Sequence, residues 1–417
     1  MLNNKTSRQI SKNKMKVLVA LSGGVDSSVA ALLLKQQGYA PVGVFLKFWS
    51  STQEHTKQNT NQHISENTCC NLEALESARA VCDKLDIPFF VFDVKKEFKK
   101  EVVDYFISEY ESGRTPNPCV LCNKKIKFGW LIDKAKKMGC DKIATGHYAR
   151  IACELKTQNS NLKTQISNIK SQKANSEKQI ANLFKAKDKN KDQTYFLWQL
   201  SLQQLSKILF PLGDYTKEEV RKIAKKNHLP TYQKKESQDI CFVGKSISDF
   251  LSSYVKKLNQ PGDIIDLAGN IIGRHKGLCY YTIGQRKNLG GDLRFKISDL
   301  RFDKDSIKKV FVVKLNVRKN QLVIGEEKDL CSKTLVAEKL NWIISQPPKP
   351  GLVIDAKIRY SHKKEKCKII ELSNFDKTKE QYKNIKIEFN KPVRAITSGQ
   401  SVVFYNKSQL IGGAIIK

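Results

Sequence analysis

The segment Ser22-Gly23-Gly24-Val25-Asp26-Ser27-Ser28 lies between an apolar, β-branched run at residues 17–21 and an apolar helical run at residues 29–37. A strand, a Gly-rich turn and a helix in immediate succession leave few folds open. Backbone N–H groups in such a turn, together with the helix N-terminus, make an anion site that the glycines allow a ligand to approach closely. Ser27 and Ser28 add hydroxyl donors, and Asp26 is suited either to hold Mg2+ on bound phosphates or to cap the helix. A second apolar strand at 41–49 follows, then helix 74–85, strand 89–94, helices 98–110 and 126–138, and strand 142–145. This alternation predicts an α/β domain with a doubly wound parallel sheet and its ligand at the C-terminal edge of the strands.

The loop lacks the Lys of G-x-x-x-x-G-K-[ST], so it does not match the loop used for transfer of a terminal phosphoryl group. It resembles the Ser-Gly-Gly-x-Asp-Ser pyrophosphate loop of ATP pyrophosphatases. That resemblance implies adenylation of a substrate, with AMP and pyrophosphate as products.

Length and patterning divide the 417 residues into several units. Residues 1–14 read as a flexible basic tail, without acids up to Lys16, compatible with either a Lys-rich extension or a transit peptide. Residues 15–243 form the catalytic unit, interrupted at 152–182 by an Asn-, Gln-, Lys- and Ser-rich insertion that reads as disordered or as a surface hairpin. A helical hairpin is expected over 195–227, and short strands with Gly turns in a small central domain over 244–308. From 309 to 417, six short strands at 310–314, 321–325, 353–360, 385–389, 401–405 and 411–416 predict a C-terminal β-barrel.

The 74 Lys and Arg exceed the 41 Asp and Glu by 33, a balance expected of a chain that meets a polyanion such as RNA or DNA, although a Lys/Asn composition bias contributes. No apolar run approaches the ~18 residues a membrane span needs, so no membrane partner is expected. Eleven dispersed cysteines, odd in number, fit a reducing cytoplasmic setting better than a disulfide scaffold.

Two cysteine sites stand out. Gly113-Arg114-Thr115-Pro116-Asn117-Pro118-Cys119-Val120-Leu121-Cys122-Asn123 carries a C-x-x-C in a Pro-rich turn that enters a basic helix, where a thiolate is favoured beside Lys124 and Lys125. Cys241, in Asp239-Ile240-Cys241-Phe242-Val243-Gly244, would by itself read as inert core. His55, His63, Cys69 and Cys70 fit no standard zinc spacing. His147 reads equally as a nucleotide contact or a buried polar residue.

The Ser22 loop, Gly113 to Pro118 with Cys122, Ala144-Thr145-Gly146-His147-Tyr148, Lys191-Asp192-Gln193-Thr194-Tyr195-Phe196-Leu197, Cys241-Phe242 and Tyr281-Thr282-Ile283-Gly284-Gln285-Arg286 occur in one order. In this the chain resembles the tRNA-specific 2-thiouridylases, the MnmA family, over nearly all of 15–417. The resemblance implies an enzyme in which ATP adenylates the 2-carbonyl oxygen of the wobble uridine and a sulfur then displaces AMP. It implies that Ala20, Leu21, Ser22, Gly23, Gly24, Val25, Asp26 and Ser27 hold ATP with Leu46 and Gly146 beside it. Asn117, Pro118 and Cys119 would face the target base, and Lys191, Asp192, Gln193, Arg359 and Tyr360 would contact tRNA, which the central domain also binds. Cys241 would carry a persulfide supplied by a cysteine desulfurase or relay protein, and Cys122 would release the transferred sulfur, leaving a Cys122 to Cys241 disulfide.

Many family members have Asp where this chain has Cys119. Three thiols, Cys119, Cys122 and Cys241, then admit a second reading in which they ligate an iron–sulfur cluster whose open iron carries sulfide. In a third reading Cys119 is a spare thiol. Other functions stay open beside thiolation: another pyrophosphate-loop adenylating ligase, which would need no reactive cysteine, or an RNA-binding protein without turnover.

Overall fold

The computed structural model describes residues 14–49, 72–154, 180–234, 240–244, 246–287, 289, 309–378 and 381–417. From the N-terminus the chain runs through β1 (Lys16–Ala20), α1 (Val25–Gln36), β2 (Ala40–Lys47), α2 (Leu72–Leu85), β3 (Phe89–Asp93), α3 (Lys95–Phe98), α4 (Asp104–Glu111), α5 (Pro118–Cys122), α6 (Leu131–Lys137) and β4 (Lys142–Ala144). It continues with β5 (Ala149–Glu154), β6 (Ile180–Lys185), α7 (Leu202–Leu205), β7 (Ile208–Leu209), α8 (Lys217–Lys226) and α9 (Ile247–Tyr254). Then come β8 (Gly262–Ile265), β9 (Ile271–His275), β10 (Phe311–Asn316) and β11 (Gln321–Gly325). The last strands are β12 (Cys331–Trp342), β13 (Val353–Lys357), β14 (Glu365–Asp376), β15 (Gln381–Arg394), β16 (Ser401–Asn406) and β17 (Gln409–Ile416).

The first sheet has the order β3-β2-β1-β4-β7, with every neighbouring pair parallel. β1 is central, and its Val17, Leu18 and Val19 are fully buried. Leu18 feeds the core on one face of the sheet, while Val17 and Val19 feed the core on the other. A parallel strand covered on both faces must be apolar throughout, which is why this run carries no alternation. Burial of each of these side chains contributes on the order of 1.5–3 kcal/mol. From β1 the chain winds outward through β2 to β3, whereas β4 and β7 lie on the opposite side. The order therefore reverses between β1 and β4, and the loops leaving their C-terminal ends face one crevice.

Two helices depart from regular α geometry. The helix over 95–111 contains a π-helical stretch, Lys99–Val103, and the helix over 118–137 contains another, Asn123–Trp130. Such stretches re-aim side chains and are frequent at functional sites. The expected helical hairpin over 195–227 differs: a 3-10 turn, Thr194–Phe196, and the short α7 lead into β7, which joins the parallel sheet before α8 begins. The apolar pair Ile208-Leu209, followed at once by Phe210-Pro211, favours extended backbone there.

The insertion begins and ends as a hairpin. β5 and β6 pair from Ala149↔Lys185 to Glu154↔Ile180, so Ala152 and Asn182 are part of a ladder; residues 155–179 lie outside the described ones. β6 also pairs with β17, fastening the catalytic unit to the C-terminal barrel.

The barrel closes as β12-β15-β14-β13-β16-β17 with β17 returning to β12. The strands expected at 310–314 and 321–325 are not among its six. They are β10 and β11, which pair with β8 and β9 in a separate four-stranded sheet. β12 and β14 take their places. Both are rich in Lys and Glu on the outward side, which hides the strand pattern, while Leu335, Ala337, Cys367 and Ile369 fill the barrel. Among the described residues no helix is long and apolar enough to cross a membrane.

Candidate active site

The turn after β1 reverses through Gly23, whose φ is +74°. A Cβ there would lie 2.3 Å from the Ala74 carbonyl oxygen of α2, so the position admits only glycine. Gly24 caps α1 without a side-chain bond, leaving first-turn N–H groups to the crevice. The two serines stiffen the loop from inside. Ser27 Oγ accepts from Ser22 N (3.1 Å) and donates to Gly24 O (3.1 Å), and Ser28 Oγ donates to Gly24 O (2.9 Å). These hydroxyls shape the cradle before any ligand arrives.

Gly146, after β4, closes the opposite wall. A Cβ on it would sit 2.7 Å from Ser27 N and 2.8 Å from Asp26 C. Thus Gly146 does meet the loop, across the point where the strand order reverses. Leu46 of β2 is buried in the same core as Leu18, and Leu21 N donates to Val44 O (2.8 Å). His147 is buried, with Nδ1 2.8 Å from Thr145 Oγ1. Burial, then the Lys127 charge, pushes its pKa well below the ordinary histidine value, so the ring is neutral.

Asp26 is the most heavily engaged residue of the loop. Its Oδ1 accepts from Tyr148 OH (2.8 Å), and its two carboxylate oxygens lie 2.7 and 2.8 Å from Lys217 Nζ. Lys217 opens α8, where Thr216 and Glu219 form a capping box, and Lys217 N donates to Asp188 Oδ2 (2.9 Å). One carboxylate facing the crevice is enough for Mg2+ when nucleotide phosphates supply further ligands, so the residues present fit that ion as a companion of ATP.

Asn117 and Pro118 start α5, with Pro at its first position. Cys119 is exposed and Cys122 buried. Cys241 is half-buried in a turn closed by Val243 N to Ile240 O (3.0 Å), rather than in a strand. Its neighbour Phe242 packs edge-on against Phe98 (5.6 Å) and Phe106 (5.3 Å). Cys122 belongs to this same core cluster, and Cys241 packs against it. Both residues thus border one extended core that also takes in Leu18 and Leu46 of the parallel sheet. Cys119 lies on the exposed side of α5. Among the described residues no group of three His, Cys, Asp or Glu side chains is arranged to hold a metal ion.

The loop before α5 is pinned from two sides. Arg114 makes a two-pronged pair with the buried Glu109, Nε to Oε2 at 2.7 Å and Nη2 to Oε1 at 2.5 Å, which holds its proton more firmly. Thr115 N donates to Ser398 O (2.8 Å), and Gln400 Nε2 donates to Thr115 O (2.8 Å). The barrel therefore fixes the segment that carries Asn117.

Of the residues expected at tRNA, Asp192 and Gln193 are engaged within the protein. Asp192 Oδ1 accepts from Ala186 N (3.1 Å) and Thr194 Oγ1 (3.0 Å), and Gln193 Oε1 accepts from Tyr148 N (2.9 Å). Lys191 is half-buried in the turn they hold. The following Tyr195 and Trp198 dock on the barrel through Ser401, whose carbonyl accepts from Tyr195 OH (2.8 Å) and whose Oγ accepts from Trp198 Nε1 (3.0 Å). Tyr360 is exposed, its ring 4.8 Å from that of Phe196, while Arg359 is half-buried. Asp239, like His55, His63, Cys69 and Cys70, lies outside the described residues.

Sequence reading missed Lys217, Tyr148, Glu109 and Gln400. Only Lys217 had a local signal, its place just after the capping Thr216 in Asp-Tyr-Thr-Lys; the others act through contacts that no short motif encodes.

Three family models match in chain order: a tRNA methyl transferase HUP domain over residues 15–245, a tRNA methyl transferase PRC-barrel domain over 248–326, and an aminomethyltransferase beta-barrel domain over 332–416. The tRNA-specific 2-thiouridylase MnmA of Clostridium botulinum (strain Alaska E43 / Type E3) is 42% identical over 413 residues, covering 98% of this chain and 99% of its own. The protein of the same name from Clostridium beijerinckii is 41% identical, covering 97% and 99%. That from Lachnoclostridium phytofermentans is also 41% identical, covering 96% and 99%. With full-length relatives at this identity and a family model matching more than half of its residues, the chain belongs to the MnmA family of tRNA-specific 2-thiouridylases.

Proposed function

We propose that this protein uses ATP to convert the wobble uridine of tRNA to 2-thiouridine. The observation that carries this reading is the Ser22 to Ser28 cradle closed by Gly146, in a chain whose Cys122 and Cys241 both border the core packed on the same parallel sheet. In the first step the uridine 2-carbonyl oxygen attacks the α-phosphorus of ATP and pyrophosphate leaves. The cradle's N–H groups, the α1 N-terminus and Lys217 stabilise the charge on the departing pyrophosphate, an electrostatic role set before reaction. Mg2+, carried with ATP, would neutralise phosphate charge beside Asp26.

In the second step the terminal sulfur of a Cys241 persulfide attacks C2, and AMP departs with the original uridine oxygen. The Cys122 thiolate then attacks the Cys241 sulfur, breaking the S–S bond and releasing the sulfur on the base. A Cys122–Cys241 disulfide results, and an external dithiol reductant reopens it. Asn117 and Pro118, held by the barrel through Thr115, present the base. Lys191, Arg359 and Tyr360 contact the tRNA, and the persulfide sulfur comes from a desulfurase or relay protein.

Thiolation of an unmodified tRNA transcript with ATP and a persulfide donor tests the reading. Iron-free protein should form 2-thiouridine, and neither Cys122→Ser nor Cys241→Ser should. Retained product formation in both variants would point to adenylation without cysteine chemistry and end this assignment.

A further inference from the structure

We propose that Tyr148 is a positioning residue for adenylation: it holds Asp26 of the phosphate loop from the turn that carries Lys191, so that tRNA engaging this turn tightens the binding of ATP. The proposal rests on the thiolation reading above and deepens it, by naming the residues through which one substrate acts on the site of the other.

Tyr148 is buried and stands between Gly146, which packs on Ser27 N, and β5, which begins at Ala149. Its two ends meet different parts of the protein. The hydroxyl donates to Asp26 Oδ1 (2.8 Å). The backbone is clasped by one residue, Gln193: Tyr148 N donates to Gln193 Oε1 (2.9 Å), and Gln193 N donates to Tyr148 O (2.9 Å). A buried tyrosine needs an acceptor for its hydroxyl, and here that acceptor is the carboxylate of the phosphate loop.

The same turn reaches Asp26 by a second route. Asp188 Oδ1 accepts from Asn190 N (2.9 Å) and Lys191 N (3.2 Å), and Asp188 Oδ2 accepts from Lys217 N (2.9 Å). Lys217 Nζ in turn lies 2.7 and 2.8 Å from the Asp26 carboxylate oxygens. The turn over 188–193 is therefore bonded at its start to Lys217 and at its end to Tyr148, and both of these close on Asp26. Lys191 lies between the two attachments. Asp192 braces the turn from inside, accepting from Ala186 N (3.1 Å) and Thr194 Oγ1 (3.0 Å), so a displacement at Lys191 is passed to the ends of the turn rather than absorbed within it.

Asp26 is an anion beside the place of an anionic ligand, so its orientation bears directly on nucleotide affinity. Held by Tyr148 and Lys217, its charge is compensated; released from them, it repels the phosphates. A ligand that fixes the turn favours the held arrangement. A nucleotide that requires the held arrangement favours the fixed turn in return, because coupling between two binding sites is reciprocal. The route between the sites is a contiguous chain of hydrogen bonds and one ion pair, each between identified atoms.

The test is a binding cycle on the whole protein. The affinity for α,β-methylene-ATP, which cannot release pyrophosphate, is measured by calorimetry without tRNA and with saturating unmodified tRNA. In the unaltered protein tRNA should tighten binding of the analogue roughly fivefold or more. Tyr148→Phe removes only the hydroxyl and should bring that ratio to about one while tRNA still binds. Gln193→Met removes the acceptor at the other end of the tyrosine and should do the same; it decides the matter if Tyr148→Phe fails to fold. A tyrosine that serves packing alone would lower the thermal midpoint on substitution and leave the ratio at its unaltered value, so a retained ratio in either folded variant overturns the proposal. An unaltered protein that thiolates tRNA yet binds the analogue equally well with and without it overturns the proposal and leaves the thiolation reading intact. Absence of thiolation by the unaltered protein ends both, and is seen before any variant is compared.

Discussion

Lys217 Nζ lies 2.7 and 2.8 Å from the two carboxylate oxygens of Asp26, joining the first turn of α8 to the phosphate loop across 191 residues of sequence. Lys217 is almost wholly buried, so the pair is poorly screened, and Tyr148 OH fixes the carboxylate from a second side. The pair places one anion and one cation at the mouth of the cradle before nucleotide binds.

Replacing Lys217 by Met leaves Asp26 facing the cradle without its cation. We expect stability to fall by about 2 kcal/mol, the scale of a lost hydrogen bond to a charged group. We also expect tRNA-dependent AMP formation to fall at least tenfold. Thermal unfolding and an AMP assay measure the two effects separately; an unaltered AMP rate would remove Lys217 from the site.

Gly146→Ala places a methyl against Ser27 N and Asp26 C, contacts of 2.7 and 2.8 Å with backbone on one side. The loop must shift, at about 1–3 kcal/mol for overpacking. Half-saturating ATP should rise roughly tenfold or more, the equivalent of about 1.4 kcal/mol. Gly139→Ala meets no neighbour within 4 Å and supplies a control at a positive φ far less confined by packing.

Cys122 is buried and Cys241 half-buried, so their serine variants separate chemistry from stability. Cys122→Ser should cost about 1–2 kcal/mol for a hydroxyl placed in an apolar core, and Cys241→Ser less. Both should abolish 2-thiouridine while the adenylation step still releases pyrophosphate, and Cys241→Ser should lose AMP release as well. Mass spectrometry of digested tRNA, with pyrophosphate and AMP measured in the same reaction, checks this; loss of pyrophosphate release in a folded Cys241→Ser variant would place Cys241 before the sulfur step.

His147 gives a pH signature. Its folded pKa is depressed, so the unfolded chain binds the extra proton first as pH falls. The stabilising contribution of the neutral ring is fully present above the unfolded value of 6.5 and is lost as pH falls from there towards the folded value. The slope of stability in that window should reach at most about 1.4 kcal/mol per pH unit from this residue. Denaturant unfolding between pH 7.5 and 5 should show His147→Gln with a shallower loss than the unaltered protein; His275 and His362, depressed in the same direction, supply the remaining slope.

The phosphate loop and the parallel sheet were legible because their signals are local: an apolar strand, glycines at fixed places and a helix directly after them. The barrel was legible only in part. β12 and β14 carry many outward Lys and Glu, and nothing within β10 or β11 says that their partners are β8 and β9 rather than barrel strands. Cys122 stood out locally as part of a C-x-x-C entering a basic helix, whereas Cys241 stood out only through resemblance, since it acquires its setting from Phe242 packing on a helix formed more than a hundred residues earlier. Asp26 was legible as a phosphate-loop residue, whereas the pairing with Lys217 was not: the capping Thr216 marks a helix start at Lys217, but nothing in either segment says that the two side chains meet.

The central claim is that the phosphate loop activates the base's own carbonyl oxygen. It is tested most directly with tRNA whose wobble uridine carries oxygen-18 at position 2, incubated with ATP, a persulfide donor and this protein. The account predicts that AMP gains one oxygen-18 for each 2-thiouridine formed. AMP without the label, in a reaction that still yields 2-thiouridine, would contradict it.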